Sequence, residues 1–153
     1  MATAAKQSPA LNKLHYTIDI DAPREKVWRV LWDDASFRDW SSVFAEGSYA
    51  VSDWKQGSTV QFIDPASNSG MQAIIETKRP NEFISFRHEA ELKDGKVQPP
   101  ADWAGAHENY TLTSSNGRTT LKVDLDAADE HRQMFEHKFP KALQRIKELS
   151  EAG

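Results

Sequence analysis

The 153 residues contain no cysteine, which excludes disulfides, thiolate nucleophiles, iron–sulfur clusters and cysteine-ligated zinc. That absence leans towards a reducing compartment, so a cytoplasmic location is the default expectation. No apolar stretch approaches the roughly 20 residues needed to cross a bilayer, so no membrane span is expected. Glycine is scarce at seven residues, and there is neither a glycine-rich phosphate loop nor a G-x-S-x-G nucleophile turn. Positive charge is not in excess: 19 basic residues face 23 acidic ones, for a formal charge of -4. They form no basic stripe, and nucleic acid is not an expected partner. The opening "MATAAKQSPALN" lacks the basic region and apolar run of a secretory signal. It is expected to be a disordered tail over residues 1–12. No linker, repeat or low-complexity block divides the remainder, which predicts a single domain over 13–153.

What is present is periodicity. "LHYTIDI" places Tyr16, Ile18 and Ile20 on one face of a strand, and the following "DAP" ends it. Asp21 is placed to cap a helix over "REKVWRVLWD", where Val27, Val30 and Leu31 form the apolar stripe. A second short helix is expected at "DASFRDW", capped by Asp34 or Ser36. From residue 48 the period changes to two, with candidate strands "SYAVSDW", "STVQFID", "GMQAIIETK", "EFISFRHEAEL", "HENYTLTSS" and "RTTLKVDLD". Asn116-Gly117 marks a hairpin, because both central residues of a type I′ turn need positive φ. "DGKVQPPADWAG" reads as a longer loop. A terminal helix is expected from about Ala128 to Ser150, with Phe135, Phe139, Leu143 and Ile146 on one stripe and an interruption at Pro140.

Strand, two short helices, six strands and a long helix is an order that resembles the START-like superfamily, also called SRPBCC or birch-pollen-allergen-like. Within it the chain is most similar to the heat-shock ATPase-activator-homologue-like branch. The residues carrying the likeness are "IDIDAPREKVWRVLWDDASFRDW" (18–40), "WKQGSTVQF" (54–62), Gly70-Met71, "RPNEFISFRHE" (79–89), "ENYTL" (108–112) and the terminal helix. The resemblance implies an α+β helix-grip fold: a seven-stranded curved antiparallel sheet wrapped around a long C-terminal helix, with two short helices between the first and second strands. It also implies an apolar cavity between sheet and helix, with Trp40 and Phe44 near its mouth.

Residue types narrow the chemistry further. His15, His88, His107, His131 and His137 are the candidates for metal or acid–base work, but their spacing matches no ligand motif, so no metal and no cofactor are expected. Trp28, Trp32, Phe37 and Trp40 read as core or as staples between helices and sheet. Trp103 reads as a loop anchor or as a lid. Alternation directs Val60, Phe62, Ala73, Ile75, Ile84, Phe86, Leu121, Val123 and Leu125 inward. The same rule directs three polar side chains inward from sequential strands: His88, Glu108 and Tyr110. A carboxylate in an apolar wall costs several kcal/mol unless paired or hydrated, so this group reads as a structural patch, a ligand anchor or an acid–base pair.

The expected ligand-binding residues are Trp40, Phe44, Phe62, Ile75, Phe86, His88, Glu108, Tyr110, Leu112, Val123, Phe135, Phe139 and Leu143. No catalytic residue is assigned. The leading functional expectation is binding or carrying a hydrophobic small molecule, such as a lipid, sterol or polyketide. Its alternatives are a cyclase- or hydrolase-like enzyme using the polar cavity residues and a chaperone-cofactor-like interaction module. A monomer or homodimer is expected.

Overall fold

Alternation from residue 49 onward builds one antiparallel sheet, because each strand can bury only one of its faces. The computed structural model describes residues 11–152. Its elements are β1 (Asn12–Ile20), α1 (Arg24–Trp32), α2 (Asp34–Ser41), β2 (Tyr49–Val51), β3 (Thr59–Asp64), β4 (Ser69–Arg79), β5 (Phe83–Lys93), β6 (Lys96–Val97), β7 (His107–Ser115), β8 (Arg118–Ala127) and α3 (Asp129–Glu151). The expected tail lies outside the described residues except for Leu11 and Asn12, and Asn12 already pairs with Ala127 in β1.

The sheet order is β1-β8-β7-β5-β4-β3-β2, with β6 attached to β5. The helix-grip architecture follows, since α3 and the α1–α2 pair cover the same apolar face. Asn116 and Gly117 both take positive φ, as the hairpin requires. The eighth strand is an addition to the sequence reading. Asp94 and Gly95 also take positive φ and turn the chain so that Val97 pairs with Leu92, where a plain loop was expected.

Other departures have local causes. β2 stops at Val51 instead of running to Trp54, because Trp54 adopts φ 62, a left-handed conformation incompatible with a strand. Ser52 Oγ accepts the Trp54 amide at 2.9 Å and Lys78 Nζ donates to its carbonyl at 2.6 Å, which hold that bend. Neither short helix has a side-chain cap: α1 is entered from Pro23, whose carbonyl accepts the Lys26 and Val27 amides, and α2 is entered from Asp33. α3 continues through Pro140 as one 23-residue helix. Gly70 allows β3 and β4 to approach closely, since a Cβ there would sit 1.8 Å from the Phe62 carbonyl oxygen. Register shifts between Gln72 and Ala73 and between Ile75 and Thr77 mark bulges, which bend and twist the sheet beneath α3.

The inward set is buried as the alternation requires. Val60, Ala73, Ile75, Ile84, Phe86, Leu121 and Val123 are fully enclosed. On the helix side Phe139, Ala142, Leu143 and Ile146 complete the core, and Tyr16 of β1 stacks on Phe139 with ring centroids 5.3 Å apart.

Candidate functional site

Trp32 decides where the space under α3 is filled. Its indole lies 5.3 Å from the Phe86 ring and 4.9 Å from the Tyr110 ring, with Trp40 at 6.3 Å and Trp54 at 5.6 Å. These contacts, edge-to-face with Phe86, Tyr110 and Trp40 and tilted with Trp54, solidify the part of the interior near α1. Beyond them, towards the first half of α3, the packing opens into a cavity of about 250 Å³.

Its walls come from four directions. Phe37, Trp40, Ser41 and Phe44 descend from α2 and the turn after it; Tyr49, Phe62, Ile63, Asp64, Gly70 and Met71 come from β2, β3 and β4; His88 and Glu108 rise from β5 and β7; Met134, Phe135 and Phe139 close it from α3. A smaller cavity of about 50 Å³ adjoins it and shares Met71, His88, Glu108 and Phe135, with Trp103 and His131 among its other lining residues.

The structure divides the sequence-expected ligand residues into two groups. Trp40, Phe44, Phe62, His88, Glu108, Phe135 and Phe139 line the larger cavity. Ile75, Phe86, Tyr110, Leu112, Val123 and Leu143 do not line it; they are buried in the core, Phe86 and Tyr110 against the Trp32 indole. Met71, Met134, Ser41 and Tyr49 also form the wall. Met71 carried a usable signal, being two residues before the inward Ala73, whereas Ser41, Tyr49 and Met134 depend on where the helices land. Trp103 is buried, with its ring 6.5 Å from that of His88, as an anchor would be.

The three inward polar groups meet. His88 Nε2 lies 3.1 Å from Glu108 Oε1, and the Tyr110 hydroxyl donates to Glu108 Oε2 at 2.5 Å. β5 and β7 are neighbours, with Phe86 opposite Glu108, so the two side chains stand diagonally across one strand pair. Burial pushes the Glu108 carboxyl up, but the His88 hydrogen bond and charge and the Tyr110 hydroxyl outweigh it, holding it below its ordinary value. Burial and the Glu108 carboxylate push the Tyr110 hydroxyl well above its ordinary value. The group is therefore a carboxylate accepting two hydrogen bonds, one from a neutral phenol. His88 Nδ1 and Ser41 Oγ, both buried on cavity-lining residues, have no hydrogen-bond partner among the described residues.

Among the described residues no group of three or more His, Cys, Asp or Glu side chains is arranged to hold a metal ion. Among them, too, no helix is long and apolar enough to cross a membrane.

Known proteins place this arrangement in a family. The family model described as activator of Hsp90 ATPase homolog 1-like protein matches residues 21–151. No curated protein matches the chain. Among solved structures, the chain is similar to the Aha1 dimer from Colwellia psychrerythraea, with TM-score 0.70, 18% identity and 93% of this chain and 98% of that one covered. It is similar also to protein CV1439 from Chromobacterium violaceum, with TM-score 0.68, 17% identity and coverages of 93% and 99%. CalU16 from Micromonospora echinospora matches with TM-score 0.61, 16% identity and coverages of 90% and 73%. At these identities the likeness is one of fold.

Proposed function

The chain belongs to the activator of Hsp90 ATPase homolog 1-like family, and on that premise we propose that it binds a small, mostly apolar molecule in the cavity between its sheet and α3. The observation that carries the reading is the cavity wall: rings of Phe37, Trp40, Phe44, Phe62, Phe135 and Phe139, interrupted by one His88–Glu108 pair. An apolar enclosure with a few convergent polar groups is the usual form of a small-molecule site. The volume of about 250 Å³ lies below the roughly 300–1,000 Å³ of drug-sized sites, which favours a short-chain lipid or a one- or two-ring aromatic over a sterol.

Protein purified from cells and sprayed under native conditions should carry a co-purifying small molecule, and an apolar ligand should displace a solvatochromic naphthalene dye. Absence of both would sink the reading.

Cyclase- or hydrolase-like catalysis is a second reading, favoured by the free Nδ1 of His88 beside a carboxylate. Turnover of ester or polyketone probes that is lost in His88→Ala would support it. The chaperone-cofactor reading draws on the family description alone and ranks last. The Colwellia relative is described as a dimer; for this chain a homodimer is proposed alongside a monomer, and light scattering on the purified protein distinguishes them.

A further inference from the structure

The polar end of the cavity offers acceptors. An ionised carboxylate can only accept, so the proton in the His88–Glu108 contact sits on Nε2 of the imidazole. The other ring nitrogen, Nδ1, has no partner among the described residues, in a residue only 8% exposed. Each Glu108 oxygen accepts one hydrogen bond, from His88 or from Tyr110, and each has a further lone pair to offer. About a fifth of the Glu108 side-chain surface is open (20%).

Charge points the same way. Among the described residues the carboxylates on the cavity wall are Asp64 and Glu108, and neither lysine nor arginine lines it. Two cations do touch wall residues, but Lys138 Nζ donates to the Phe44 carbonyl at 2.9 Å and the Arg38 guanidinium sits 5.0 Å over the Tyr49 ring. An anionic head seated on Glu108 would meet like charge with no lysine or arginine beside it to pair with, and His88 is already engaged by Glu108 at 3.1 Å.

We propose that the cavity selects ligands whose polar end is a hydroxyl donor, an alcohol or phenol seated on the Glu108 carboxylate, and discriminates against the carboxylate of the same skeleton. This rests on the ligand-binding reading above and narrows it to one class of head group. Fatty-acid-like anions fall outside that class; phenols and alcohols on a compact apolar body fall within it.

Calorimetric titration of the full chain with 4-butylphenol, 4-butylbenzoate and butylbenzene tests the proposal. A hydrogen bond to a charged group should make the phenol bind about tenfold tighter than either competitor. Glu108→Gln, which keeps the shape and removes the charge, should bring phenol and benzoate to within about threefold of each other. Tyr110→Phe frees one carboxylate oxygen without touching the cavity wall, so phenol binding should tighten by about threefold; this variant serves if Glu108→Gln does not fold. Benzoate binding as tightly as phenol, or a phenol preference that survives Glu108→Gln, overturns the head-group assignment and leaves the ligand-binding reading standing. Failure of all three compounds to bind or to displace an apolar dye overturns the reading itself.

Discussion

Strand β7 sends a histidine out of one face of the sheet and a glutamate out of the other from adjacent residues, and each finds the opposite partner. On the outer face His107 Nε2 meets Glu76 Oε2 at 2.5 Å, with side chains 37% and 39% exposed. On the inner face Glu108 Oε1 meets His88 Nε2 at 3.1 Å, with exposures of 20% and 10%. Contact type is the same; surroundings are not. The outer pair belongs to a wet ladder in which Lys13 donates to Asp126 at 2.7 Å and Asp126 Oδ2 accepts the His107 amide. Its exposed members, Lys13, His107 and Glu76, can lose a partner to water at little cost, whereas Asp126 is only 14% exposed. The inner pair faces aromatic rings, where an abandoned charge or hydroxyl finds little water to replace its partner. Length of contact is thus a poor guide to importance, because the shorter of the two is the more replaceable.

The contrast can be broken most severely at Glu108. Glu108→Ala removes the acceptor of both His88 and Tyr110, and we expect a stability loss of about 3 kcal/mol, at the low end for buried pairs because the carboxylate is partly open. Glu76→Ala, its outer counterpart, should cost under about 1 kcal/mol. Urea unfolding of the two variants side by side measures the difference, and similar losses would erase it.

Tyr110→Phe is the next smaller effect. It leaves the ring packed against Trp32 and deletes one hydrogen bond to a charged group, for an expected loss of about 1.5–2 kcal/mol. NMR titration of the variant should find the Glu108 pKa moved upward, since one of the influences holding it down is gone.

pH separates the faces more gently. Glu108 has a folded pKa below its ordinary 4.5, so its contribution is complete above that value and is lost as pH falls through the folded pKa. Asp126 on the outer face, where burial opposes but Lys13 and the His107 amide prevail, behaves likewise below its ordinary 3.8. Both faces therefore weaken in acid. In alkali the inner face is the sensitive one: burial and nearby Glu136 raise Tyr16, as burial and Glu108 raise Tyr110. Groups raised on folding contribute fully below the ordinary value of 10, and stability is lost as pH rises from there through the folded pKa. Thermal unfolding across pH 9–11 should decline less steeply in Tyr110→Phe than in the wild type.

The smallest effect belongs to His15. It pairs with Asp124 at 2.5 Å but is 61% exposed on its side chain. His15→Ala should change stability by less than about 0.5 kcal/mol, and a larger change in urea unfolding would show that the outer ladder carries weight despite its exposure.

Much of this was legible before the fold was known. The strand boundaries at His107–Ser115 and the inward direction of His88, Glu108 and Tyr110 follow from a two-residue period, which is a property of the backbone and needs no partner. The Asn116-Gly117 turn follows from its φ requirement. The Asp94-Gly95 turn carried the same signal, hidden by the prolines that end its hairpin after two residues. Trp54 was misleading because a bulky residue rarely takes positive φ, and its ring contact with Trp32 is not visible in the local pattern. At the cavity, inward direction proved necessary and insufficient. Phe62 and Phe86 share the inward face, yet Phe62 borders open space and Phe86 is capped by the Trp32 indole.

By itself, then, the sequence determined which side of the sheet each residue takes, because alternation is local and a one-residue slip would expose the whole apolar set. Only the tertiary structure decided which of those inward residues face a ring and which face a cavity. That choice depends on where α1, α2 and α3 come to rest, and their positions are settled by contacts between residues as far apart as Asp39 and Arg145, whose charged hydrogen bonds of 2.6 and 2.9 Å tie α2 to α3.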